Sequence, residues 1–303
     1  MFAVPDGDRA GLFSLSAPER EARMSTALRI AHGAFGRVAL LDMDCSLVRH
    51  AHPHCHVLLK VEGADTQFSV GDRICPLTDT TAVLVDGWQP HAYVHDPNRP
   101  RTLILALYVE PQWLKDFRPG WAASGAPGFF GQPSGEVSPR IRRLSMDLAT
   151  EMMARPDCVG THETLLSDLM IAVIERFTSW RTFPVSIREM NVSGRDWRIK
   201  RAAEAMRADV GNVTSIDKFA KGAGLSRAHF FRLFESSIGV PPKVYLNVVR
   251  MEQAVDAVLH QDVTVGEISE RLGFAEPAHF TRFFRNHAGV GPREFRNVSR
   301  LAS

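Results

Sequence analysis

Ser215-Ile-Asp-Lys-Phe-Ala-Lys-Gly-Ala-Gly-Leu-Ser226, followed by Arg227-Ala-His-Phe-Phe-Arg-Leu-Phe234, is one of two versions of a single pattern. The other is Thr264-Val-Gly-Glu-Ile-Ser-Glu-Arg-Leu-Gly-Phe-Ala275, followed by Glu276-Pro-Ala-His-Phe-Thr-Arg-Phe-Phe284. Gly224 and Gly273 are 49 positions apart, while Arg232 and Arg282, like Gly239 and Gly289, are 50 apart. The second copy therefore carries one extra residue just after its turn. Two copies fall short of the roughly three repeats that a stacked solenoid needs. The chain holds a duplicated module.

Each copy carries the signals of a helix-turn-helix. Ser215 and Thr264 are good helix N-caps, because a side-chain oxygen can accept from first-turn amides. Gly224 and Gly273 stop the short helix that follows, since glycine enters the left-handed turn conformation without steric cost. Ser226 recaps the second helix of the first copy, and Pro277 sits early in that of the second, where its missing N–H costs nothing. Phe230, Leu233 and Phe234 fall at i, i+3 and i+4, as do Phe280, Phe283 and Phe284, which marks the buried face. The opposite face offers Arg227, Ala228, Phe231 and Arg232 in one copy and Glu276, Ala278, Thr281 and Arg282 in the other, with His279 added to the DNA-contacting candidates. Such a front suits the major groove, where Arg pairs with guanine and Thr or Ala touches a thymine methyl. Between the copies, 242–260 reads as one helix with Val244, Val248, Met251, Val255, Val258 and Leu259 along a stripe. It is ~28 Å long at ~1.5 Å per residue, against ~34 Å between successive major-groove faces.

This region resembles the DNA-binding domain of AraC-family transcriptional regulators. The resemblance rests on Gly224-Leu-Ser226, Phe230, Arg232-Leu-Phe234, Gly239, Pro242, Tyr245-Leu246, Arg250-Met251, Ala254, Ile268, Gly273-Phe274, His279-Phe280, Arg282, Phe284, Gly289, Pro292 and Phe295-Arg296. It implies that the exposed residues of the second helix of each copy touch double-stranded DNA, and that RNA polymerase is a further partner such a regulator can engage. Two residues depart from the pattern: Ser269 stands where a small alanine is usual, and Phe231 where a polar residue is commoner. The keyword activator goes with the family, although the sequence leaves activation or repression open.

The rest of the chain fits a soluble, cytoplasmic, multidomain protein of α and β structure. Among the 303 residues no apolar run approaches the ~18 of a membrane span, and 1–24 lacks the apolar core of a signal peptide. Four cysteines without paired spacing suit a reducing compartment. Residues 193–303 hold 17 Lys and Arg against 12 Asp and Glu, so the small overall charge of +2 hides a basic C-terminal module.

Short apolar runs at 37–41, 56–61, 67–70, 81–85 and 102–109, separated by Gly and Asp turn signals, predict strands of a small barrel or sandwich. This stretch resembles the cupin-like sensor domain of AraC-type regulators, with Trp88-Gln-Pro-His91 at that fold's Pro–His turn. The expected organisation is a flexible N-terminus (1–24), a cupin-like domain (25–117), a loop (118–136), a helical pair for dimerisation or packing (137–181), a linker (182–194) and an all-α DNA-binding domain with two helix-turn-helix motifs joined by a long helix (195–303). A small-molecule effector is expected in the barrel, contacted by His54, His56, His91 and Trp88, with the stripe of 162–180 making a homodimer.

His50, His52, His54 and His56 alternate, and this raises a competing class, a metal-dependent cupin enzyme with a helical appendage. Cupin sites pair His-x-His with a Glu three or four residues on, and Glu62 comes too late after His56. Pro53 interrupts the ladder, so the sequence safely groups only His54 with His56, and His91 only if the barrel brings it near. The expectation is no cofactor, no resident metal and no catalytic residue.

Overall fold

Thr102-Leu-Ile-Leu-Ala-Leu-Tyr-Val109 is apolar at nearly every position, which suits a strand covered on both faces rather than one. In a computed structural model, which describes residues 25–178, 196–213 and 215–300, this strand is buried along its whole length. It lies inside an antiparallel sheet of order β1-β2-β8-β3-β6-β9, formed by Thr26–Gly33, Gly36–Met43, Thr102–Val109, Cys55–Gly63, Thr81–Val85 and Ser134–Glu136. A second antiparallel sheet has the order β5-β4-β7, from Arg73–Leu77, Thr66–Val70 and His91–Val94. The five strands read from the sequence are present. β1, β5, β7 and β9 are additional, and three of them hide for a local reason: β7 and β9 are only four and three residues long, and β5 contains Pro76. Proline breaks strand periodicity yet is tolerated at a sheet edge, where β5 lies.

Alternate residues of β8 feed two cores. Leu103, Leu105, Leu107 and Val109 join α1 (Pro111–Phe117), α2 (Pro139–Ala154) and α3 (Val159–Phe177). The apolar stripe of α3, including Leu166, Leu169, Met170, Val173 and Ile174, is spent on this packing and lies inside the protomer. That is the packing alternative for 137–181, and it removes the stripe on which the dimer expectation rested. Residues 118–136 are not a plain loop. They form a 3-10 turn (Pro119–Gly125) and β9, with Trp121, Phe129 and Phe130 buried. Asp86 holds the segment by accepting from the amides of Gly128 and Phe130 at 2.7 and 2.8 Å. The expected flexible N-terminus and the 182–194 linker lie outside the described residues.

Ile104, Ala106 and Tyr108 face the other way, into a core shared with the C-terminal helices. These are α4 (Trp197–Ala208), α5 (Asp217–Gly222), α6 (Arg227–Ile238), α7 (Pro242–His260), α8 (Val265–Arg271), α9 (Pro277–Ala288) and α10 (Pro292–Arg300). Thr264 and Glu267 form a reciprocal capping box on α8. Ser226 caps α6 through the His229 amide, and Pro277 opens α9. Ser215 does not cap α5 directly. Its hydroxyl accepts from the Asp217 amide one residue earlier in the turn, and Ile216 occupies the cap. Gly224 and Gly273 take φ of 67° and 76° as the turn requires, and a side chain on Gly273 would run into the backbone of Gly211.

The two domains are docked. α10 packs on β1, Gly289 lies against Met43 and Leu47, and the Trp88 ring stacks on Tyr245 of α7 at 5.4 Å. Trp88 was expected to contact an effector, but its ring is turned to the C-terminal domain. Its φ of 67° is an unusual conformation for a non-glycine residue, and that contact is what the strained turn delivers.

Candidate functional site

Two surfaces stand out, and the first is on α6 and α9. The two helices repeat their burial class at every position but the last, where Ile238 is half-buried and Ala288 buried. Ala228 and Ala278, His229 and His279, and Arg232 and Arg282 are exposed; Phe231 and Thr281 are half-buried; Phe230, Phe234, Phe280 and Phe284 are buried. The residues expected on the reading face are therefore the ones presented to solvent, with the N-terminal domain docked. Arg227 is held by both oxygens of Asp217 at 2.7 Å, and its guanidinium lies 5.2 Å from the Phe231 ring centre. His279 sits 3.9 Å from Glu276. Arg232 and Arg282 are exposed at equivalent positions.

The second surface is a cavity of about 470 Å³ between the domains. Its N-terminal wall brings Arg37, Arg49, His50, His52, His54, Tyr108 and Glu110; its C-terminal wall is the α7 face with Val244, Val248, Met251, Val255 and Leu259, plus His287 of α9. The N-terminal side is thus rich in arginine and imidazole, and the α7 side is an apolar stripe edged by Asn247, Glu252, Asp256 and His260. Arg37 is placed by β2 directly opposite Tyr108 of β8. Its guanidinium lies 3.9 Å from the Tyr108 ring centre and 5.4 Å from that of Phe295, and its Nε has no hydrogen-bond partner. Burial pushes its pKa down from the usual arginine value.

The histidines do not group as the sequence suggested. His54 turns away to Glu110, with Nε2 3.1 Å from the carboxylate, and this hydrogen bond holds the Glu110 carboxyl below its ordinary pKa. His56 instead meets His91 and His52, its Nδ1 lying 3.3 and 3.2 Å from their Nε2 atoms. His50 joins because its backbone exchanges both hydrogen bonds with His91, at 2.9 and 2.8 Å. Pro53 interrupts the ladder as expected, but the chain before it returns to pair with β7. Burial first, then the repulsion of neighbouring imidazoles, keeps the pKa values of His50, His52 and His56 well below normal. That of His91 falls to about 4, again through burial. The sequence reading missed Arg37, Glu110 and Tyr108, and gave the α7 stripe no part in a ligand site. The apolar α7 stripe opposite a lone strand arginine was the available signal, but nothing local to either element pairs them.

The class defined by this geometry is a two-domain protein in which a β-sandwich is docked on a double helix-turn-helix domain. A family model described as a helix-turn-helix domain matches residues 219–297, and the C-terminal domain is of AraC type. The lactose operon transcription activator of Staphylococcus xylosus is 27% identical over 79 residues, covering 26% of this chain and 28% of that protein. The Msm operon regulatory protein of Streptococcus mutans is 27% identical over 111 residues, 37% of this chain and 38% of that one. The chain thus matches little more than a third of these relatives' length at most. In fold, an apo variant of ToxT from Vibrio cholerae matches 89% of this chain and 99% of its own, with TM-score 0.55 and 12% identity. ToxT bound to an unsaturated fatty acid matches 94% and 99%, with TM-score 0.51 and 9% identity. Among the described residues no helix is long and apolar enough to cross a membrane.

Proposed function

We propose that this protein is a sequence-specific DNA-binding transcription regulator of AraC type, controlled by a small molecule held between its domains. The observation that carries the reading is the matched exposure of α6 and α9, with Arg232 and Arg282 outward over buried phenylalanines. Arg227, Ala228, Phe231, Arg232, Ala278, His279, Thr281 and Arg282 are the DNA-facing set. α7 joins the two readers and also walls the cavity, so an occupant there touches the element that sets their separation. The effector site is therefore assigned to the cavity, with His52, His54 and Arg37 at its polar end, and not to the interior of the sandwich. A carboxylate with an apolar body suits a cationic end facing Val244, Val248 and Met251. The solved fatty-acid-bound form of ToxT, a protein of like fold, agrees with that chemistry. RNA polymerase and a second copy of the chain are the remaining expected partners.

Footprinting tests the core of the reading. Arg232→Ala and Arg282→Ala should each weaken binding to a specific site by about 1–3 kcal/mol. They should do less on random DNA, where phosphate contacts dominate and affinity falls steeply with salt. Unchanged protection in both variants would remove α6 and α9 as readers.

A further inference from the structure

The histidine cluster carries a separate inference, independent of whether the chain binds DNA. Three of its rings have their tautomer fixed by the backbone. His50 Nδ1 lies 2.9 Å from the Val48 carbonyl, His52 Nδ1 3.0 Å from that of His54, and His91 Nδ1 2.9 Å from that of Gln89. A carbonyl oxygen only accepts, so each Nδ1 carries the proton and each Nε2 is left with a lone pair. Those lone pairs converge: one ligand atom from each of His50, His52 and His91 lies within 4.8 Å of the others. A backbone acceptor on one ring nitrogen with the other nitrogen free is the arrangement that orients metal-binding imidazoles.

His56 makes the empty arrangement costly. Its Nδ1 sits between the Nε2 atoms of His52 and His91, at 3.2 and 3.3 Å, and a single N–H there must be shared between two lone pairs. Its buried Nε2 has no partner at all, and its ring is fixed by stacking on Tyr108 at 4.1 Å. Zinc–imidazole bonds of about 2.0–2.1 Å place tetrahedral ligand nitrogens about 3.3–3.4 Å apart, close to the two His56 spacings, while the ligand atoms of His50, His52 and His91 lie within 4.8 Å of one another.

We propose that His50, His52 and His91 form a binding site for a divalent transition ion of the zinc type, with His56 Nδ1 as the fourth donor. All four ligands are neutral, and imidazole donors suit zinc, nickel, copper and ferrous iron. Glu110, the carboxylate of the cavity's N-terminal wall, is engaged by His54 and is not a ligand. The sequence expectation of no resident metal counted on His54 and His56 with His91 at most. The backbone pairing of His50 with His91 and the rotation of His54 supply a different set.

The test uses full-length protein made without a metal-affinity tag, stripped with a chelator and titrated with zinc chloride against a chromophoric competitor. One equivalent should bind and raise the melting temperature. His52→Ala and His91→Ala should each weaken binding by more than the ~10–100-fold that loss of a merely orienting group costs. His95→Ala, whose ring hydrogen-bonds Tyr93 outside the cluster, should keep zinc affinity within about 3-fold of the parent, well short of that orienting-group loss. X-ray absorption on the zinc-loaded parent supplies a reading that needs no variant, and a shell of nitrogen donors with imidazole multiple scattering is expected. Binding below a tenth of an equivalent at saturating zinc, or a sulfur-containing shell, would overturn the site. So would full zinc binding by folded His52→Ala and His91→Ala proteins.

Discussion

The two helix-turn-helix copies share one scaffold but are joined to the N-terminal domain through different chemistry. In the first copy Phe234 packs on Tyr245 at 5.5 Å, and Tyr245 stacks on Trp88 of the N-terminal domain. In the second, Phe284 packs on Phe295 at 5.3 Å, and Phe295 meets Arg37, which covers Tyr108. The first connection is aromatic throughout and bypasses the cavity. The second runs through a buried cation in the cavity wall, one stacking contact from His56. Duplication copied the reader; it did not copy its attachment. An occupant of the cavity therefore reaches the first copy through α7 alone, and the second through both α7 and the Arg37 contact.

The largest effect tests the shared scaffold. Phe234→Ala and Phe284→Ala both empty a fully buried site, and each should cost about 3–5 kcal/mol of stability. Paired urea melts with slopes unchanged from the parent would make the comparison clean. A cost below about 1 kcal/mol for either would show that one copy is not a working part of the core.

How much of this was legible differs between the same regions. The reader was legible because everything that specifies it is local. Thr264, Glu267, Gly273, Phe280 and Phe284 follow one another at intervals of three to seven positions, and helix period alone assigns their faces. The strands at 56–61 and 102–109 were legible for a related reason, as apolar runs between turn signals. The cavity was not. Arg37 acquires meaning only when β2 pairs with β8 and α10 docks on β1, contacts that span 71 to more than 250 positions. The histidine grouping failed for the same reason: period two puts His54 beside His56, but the turn before β3 leaves the strand and pairs His50 with His91 instead. Trp88, expected beside His91 at a Pro–His turn, stacks on Tyr245 instead. Its positive φ aims it out of the sandwich.

A smaller effect separates the two attachments. Arg37→Gln removes the cation between Tyr108 and Phe295, a contact worth about 0.5–2 kcal/mol when desolvated. A medium-chain fatty acid should raise the melting temperature of the parent and change its footprint chiefly over the half contacted by the second copy. The variant should lose both responses while still binding DNA. Equal changes over both halves would mean that α7 moves as one body, and that the attachment through Arg37 has no special part.

The smallest expected effect concerns the one position where the two reading faces differ most in kind. Phe231 and Thr281 occupy equivalent places and are half-buried alike, yet one is a large apolar ring and the other a small hydroxyl. Phe231 meets Phe230 edge-on at 6.3 Å and carries the Arg227 guanidinium above it. It thus has some packing of its own, but Phe230 and Phe234 already close the core beneath it. Phe231→Ser should therefore cost less than about 1 kcal/mol of stability, nearer a surface change than a core deletion. Its exposed edge suits a thymine methyl or a sugar, so specific DNA binding should weaken while binding of random sequence changes little. Loss of the ring also leaves Arg227 with Asp217 alone, 2.7 Å away, which keeps that arginine from replacing the lost contact. A stability loss of several kcal/mol would place Phe231 in the core, and the first copy would then read DNA with Arg227, Ala228 and Arg232 only.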